Sequence, residues 1–74
     1  MAIGQIVKAT IAEKGMTQRA VTQMMLKVSP VIKGFNEKKL SNIIHGVRLM
    51  TADELIAFCH ALHVSPEIFM QTVR

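Results

Sequence analysis

The sequence predicts an all-α fold, one compact domain of five short helices over residues 1–74. Three observations predict it. Apolar residues recur three and four apart through most of the chain, the spacing of one face of a helix. No stretch alternates apolar and polar residues for long enough to make a strand. Each apolar stripe is bracketed by residues that start or stop helices. A chain of 74 residues supports one hydrophobic core, and with half its residues apolar and 19% charged it is not a disordered chain.

Helix 1 runs from about Ala2 to Lys14. Ile3, Val7 and Ile11 repeat every four residues with Ile6 alongside, and Gly15 supplies a left-handed stop. Helix 2 begins at Thr17, a good N-cap, and carries the stripe Val21, Met24, Met25 and Val28. It ends near Ser29, because the residue before Pro30 is pushed out of the helical region. Ser29-Pro30 also suits the start of a short extra turn, with proline in its first position. Gly34 then breaks the chain.

Asn36 caps helix 3, and Glu37 in the first turn suits the helix dipole. Leu40, Ile43 and Ile44 form its stripe, and Gly46 stops it. Thr51 and Glu54 make a capping box for helix 4, which buries Leu55, Phe58, Cys59 and Leu62 and runs to about His63. Ser65-Pro66-Glu67 is a second cap, proline and acid, so helix 5 spans Pro66 to about Val73.

Charge and composition narrow the function. The net charge is +4, unevenly placed. Residues 1–50 set eight Lys and Arg against Glu13 and Glu37, a net +6; residues 51–74 set Arg74 against Asp53, Glu54 and Glu67, a net −2. A basic front points to a polyanionic partner. The absence of Trp and Tyr argues against recognition of single strands by base stacking. One cysteine makes no internal disulfide and fits a reducing cytoplasm. No apolar run is long enough to span a membrane, and Met1-Ala2-Ile3-Gly4 lacks the basic and apolar regions of a secretory signal. There is no phosphate-binding glycine loop and no carboxylate pair for acid–base work, so the chain is read as a non-enzyme. Cys59 and His63 stand four apart, but Cys59 falls on the core stripe and no second ligand pair has zinc-site spacing, so no metal is expected.

The order of these signals resembles the phage-repressor (Cro-like, xenobiotic-response-element) helix-turn-helix family. Four stretches carry it: Ile3-Gly4 leading a helix that ends at Lys14-Gly15-Met16-Thr17-Gln18; Gly34-Phe35-Asn36; Leu40-Ser41-Asn42-Ile43 to Gly46 and Arg48; and Ala52-Asp53-Glu54-Leu55 through Pro66-Glu67-Ile68-Phe69. The resemblance implies a five-helix lambda-repressor-like domain, with a connection between helices 2 and 3 extended in this chain. It implies a cytoplasmic phage or prokaryotic transcriptional regulator that binds double-stranded DNA as a homodimer, with no cofactor, small-molecule ligand or membrane. In such a module one helix reads base edges in the major groove while the preceding helix anchors on phosphate. Carried over, Gln18 touches phosphate, Glu37, Lys38, Lys39 and Asn42 face the bases, Arg48 touches the backbone, and Arg19 and Ser41 complete the DNA-binding set. Lys, Arg and Asn are residue types that discriminate base pairs.

The chain departs from the family in three places. Eight residues, Leu26 to Lys33, are extra between helices 2 and 3, so that helix 2 is lengthened or a short turn follows Ser29. Ile11 and Ile44 occupy positions where many members pair an Arg with a Glu, a replacement that packed hydrophobes tolerate, and Ile11 is expected to pack on Ile44. Met50 stands where the family often has proline. The extra segment also opens an alternative function: Met24, Met25, Leu26, Val28, Val31 and Ile32 concentrate apolar surface there, which suits a protein-interaction module whose partner binds at Met24 to Ile32 in place of DNA.

Overall fold

The structure is a computed structural model that describes residues 3–73, with side chains as far as Met70. Four α-helices form: α1 (Ile3–Glu13), α2 (Gln18–Val28), α3 (Glu37–Ile44) and α4 (Ala52–Leu62). Two 3-10 helices accompany them, Pro30–Ile32 and Pro66–Val73, and there is no strand among the described residues. Ala2, expected as the first helical residue, lies outside them. No helix among the described residues is long and apolar enough to cross a membrane.

The helix starts follow the capping residues. Thr17 Oγ1 accepts the Ala20 N–H at 3.1 Å, and Asn36 Oδ1 accepts the Lys39 N–H at 2.8 Å. At α4 the Glu54 N–H donates to Thr51 Oγ1 at 3.2 Å while the Thr51 N–H donates to the Glu54 carboxylate at 3.0 Å, a complete capping box. The stops share one geometry. Gly15 takes φ +67° after α1, and the next N–H, of Met16, reaches back to the Ile11 carbonyl at 3.1 Å. Gly46 takes φ +77° after α3, and Val47 N–H bonds the Asn42 carbonyl at 2.8 Å. α4 ends the same way at His63, φ +55°, with Val64 N–H on the Cys59 carbonyl at 3.0 Å. His63, expected as the last residue of this helix, is thus the left-handed residue just past α4, which ends one residue earlier at Leu62.

The expected fifth α-helix is a 3-10 helix over the same residues, Pro66–Val73. Its Ile68 N–H bonds the carbonyl three residues back, on Ser65, at 3.1 Å. An eight-residue segment has little α-helical stability of its own, so tertiary docking sets its hydrogen bonding. Phe69 supplies that docking: it is buried and meets Phe58 edge-on, ring centroids 6.1 Å apart at 62°. Such a pair adds to the area buried.

One continuous apolar cluster joins all the elements. Phe58, Met25, Leu40, Ile43, Val7 and Val21 are its fully buried side chains, and α2 on α4 is the most extensive packing. Ile11 lies inside this cluster, and Ile44 is partly buried and packed against it. α1 crosses α3 at Gly4. A Cβ on Gly4 would stand 2.6 Å from the Ile44 carbonyl oxygen and closer still to that of Ile43, so only a glycine lets the backbones meet.

Leu26 to Lys33, the segment between helices 2 and 3, is part helix and part turn. α2 continues to Val28, and the 3-10 turn Pro30–Ile32 follows Ser29. Ile32 is buried, and the turn packs on α2 and α4. The apolar concentration divides: Met25 and Ile32 join the core, Met24 is half-buried, and Leu26, Val28 and Val31 face solvent.

Candidate nucleic-acid interface

α3 buries Leu40 and Ile43 on one side. At about 100° per residue, Lys38, Ser41, Asn42 and His45 fall on the other. Lys38 and His45 are exposed, Ser41 and Asn42 half-buried. Four side chains able to donate or accept hydrogen bonds therefore share one outward row. Glu37, exposed, stands at its edge. Lys39 lies off the row: its ammonium is 3.8 Å from where a Cβ on Gly34 would sit, so it leans over the turn that leads into α3.

Gln18 and Arg19 open α2, which packs against α3. Gln18 is half-buried, and its carbonyl accepts the Thr22 hydroxyl at 2.8 Å; Arg19 is exposed. These two residues belong to a different helix start from the outward row. The structure gathers Lys38, Ser41 and Asn42 on one row of α3; Gln18 and Arg19 open the helix packed beside it, and Lys39 leans over the preceding turn.

Arg48 has a partner that the sequence reading did not assign. Its Nη1 and Nη2 each donate to a Glu54 carboxylate oxygen at 2.7 Å, a bidentate fork. This is the one ion pair among the described residues. Glu54 is buried at 5% exposure, while the Arg48 side chain keeps 30%. Burial alone pushes the Glu54 carboxyl up, but the hydrogen bonds from Arg48 and Thr51 outweigh it and hold the carboxyl below its ordinary range. The fork uses two of the five guanidinium N–H donors and leaves the others for a further acceptor. Glu54 thus completes the α4 cap and anchors the chain leaving α3. The charge signs of Arg48 and Glu54 were visible in the sequence, but six residues and a turn separate them, and no periodicity brings them together.

His45, the last residue of the helix expected to read the groove, also belongs to the outward row. Its Nδ1–H donates to the Ser41 carbonyl at 2.8 Å, with Ser41 Oγ at 3.4 Å. The ring is held at the end of α3 with Nε2 open to a partner. The signal was its spacing, four from Ser41 and seven from Lys38.

Cys59 is buried, and burial pushes its thiol pKa up, the setting of an inert core thiol. Among the described residues no three His, Cys, Asp or Glu side chains gather as a metal site. Compared with known protein families, curated proteins and solved structures, the chain matches none.

Proposed function

We propose that this chain is a small cytoplasmic transcriptional regulator of the phage-repressor type. It binds double-stranded DNA sequence-specifically as a homodimer and reads the major groove with α3. Its role is binding rather than catalysis, and it takes no cofactor or small ligand. One observation carries the reading: Lys38, Ser41, Asn42 and His45 line a single solvent-facing row on an eight-residue helix packed beside α2, whose first residues are Gln18 and Arg19. Lys suits guanine edges and Asn suits adenine, so the row has discriminating chemistry. Gln18, Arg19 and the spare donors of Arg48 supply contacts to phosphate, and Lys39 and Glu37 flank the bases. The packing of Pro30–Ile32 on α2 and α4 supports the reading, because it leaves the outward side of α3 uncovered.

Selection of bound duplexes from a random pool, followed by anisotropy titration, tests it. On the selected site Lys38→Ala and Asn42→Ala each lose about 1–3 kcal/mol of binding free energy. Half-site centres in the selected sequence lie about 34 Å apart, one helical turn. A pool that yields no enriched duplex, or full affinity in both variants, refutes the proposal.

A further inference from the structure

We propose that the end of α2 and the 3-10 turn after it form a docking surface for an acidic amphipathic helix of a partner protein. From Lys14 to Asn36 the chain has no acidic residue, and Lys14, Arg19, Lys27 and Lys33 give it four positive charges. Lys27 and Lys33 are both exposed. In the same segment three aliphatic side chains are exposed, Leu26 at 37%, Val28 at 41% and Val31 at 70%. Beside them Ala20, Gln23, Met24, Leu26 and Lys27 line a shallow groove along α2.

Apolar groups interleaved with cations decide the chemistry of the occupant. A phosphate backbone attracts the lysines but offers nothing to Leu26, Val28 and Val31, which stay in water. An amphipathic helix with an apolar stripe between acidic residues satisfies both sets, its stripe in the groove and its carboxylates on Lys27 and Lys33. Met24 at the groove wall adapts to the shape of the stripe. Buried Ile32 anchors the turn, so Val31 is presented from a seated element. This surface needs no part of the α3 row and stands or falls separately from DNA binding.

The test uses the full chain and a short synthetic helix with leucines three and four apart and glutamates elsewhere, followed by amide chemical shifts. Saturable shifts centred on residues 24–33 are expected, with the α3 row unmoved. Val31→Ser and Lys27→Glu each weaken binding about fivefold or more, and Lys38→Ala leaves it unchanged. A control peptide with serines for leucines binds at least about tenfold more weakly. Equal binding of the serine peptide, shifts centred on α3, or no saturation overturns the proposal. So does a DNA duplex that shifts residues 24–33 and displaces the peptide from them, which would make this a nucleic-acid surface.

Discussion

At the scale of single residues, two side chains do work that their residue type alone does not announce. His63 takes the left-handed position past α4, where Gly15 and Gly46 serve the same purpose after α1 and α3. A side chain in that region costs about 1–2 kcal/mol, partly offset because glycine loses more entropy on folding. His63→Gly therefore stabilises the protein by about 0.5–1 kcal/mol, read as a higher urea midpoint at unchanged slope. An unchanged or lower midpoint would mean that the imidazole contributes more than the strain costs. Glu54 is the second case. Its carboxyl is held below the ordinary range, so the stability it contributes is present above the unfolded carboxylate pKa, about 4.3, and is lost as pH falls through the lower folded value. Glu54→Gln costs about 1–3 kcal/mol at neutral pH, since it leaves Arg48 without its anion. The gap between wild type and variant then narrows on acidification; a constant gap from pH 7 to pH 3 refutes the ionic account.

At the scale of elements, the helix ends were the most legible part of the chain. Thr17, Asn36, Thr51, Gly15 and Gly46 act through hydrogen bonds to residues within a few positions, so local sequence specifies them. The last segment was legible in extent but not in type. Eight residues from Pro66 suit either helix, and the seat of Phe69 against Phe58 is not a local property. The crossing of α1 on α3 is equally non-local. Gly4 reads in sequence as a poor helix residue, and only the approach of the Ile43 and Ile44 carbonyls explains it. Gly4→Ala gains intrinsic helix propensity yet destabilises by about 1–3 kcal/mol, because the contact is backbone and cannot swing aside. Thermal unfolding checks the sign, and a stabilised variant would show that the helices separate freely.

At the scale of the whole molecule, charge and core are arranged on different principles. The core is one cluster that joins every element, while the net +6 of the first fifty residues is carried by side chains outside that cluster. In the proposed DNA complex the logarithm of the affinity falls linearly with the logarithm of salt concentration, by about 0.9 for each phosphate neutralised. Arg19→Ala lowers that slope by about 1 and weakens all duplexes alike, whereas Asn42→Ala leaves the slope in place and relaxes base preference. Titrations at several salt concentrations separate the two; identical slopes for wild type and Arg19→Ala would remove Arg19 from the phosphate contacts. The candidate interface was legible in part for the same reason as the helices. Lys38, Ser41 and Asn42 share a row because a helix repeats every 3.6 residues. The pairing of Arg48 with Glu54 spans a turn, and its geometry follows from how α3 and α4 meet.

The sequence by itself determined the all-α class, the places where helices start and stop to within a residue or so, and most of each apolar face, Val28 being the exception, because these depend on backbone hydrogen bonds and periodicity within one or two turns. Only the tertiary structure decided that the fifth segment is a 3-10 helix, that the turn Pro30–Ile32 rests on α2 and α4, and that Arg48 is held by Glu54. Those outcomes depend on burial and on side chains brought together from separate elements.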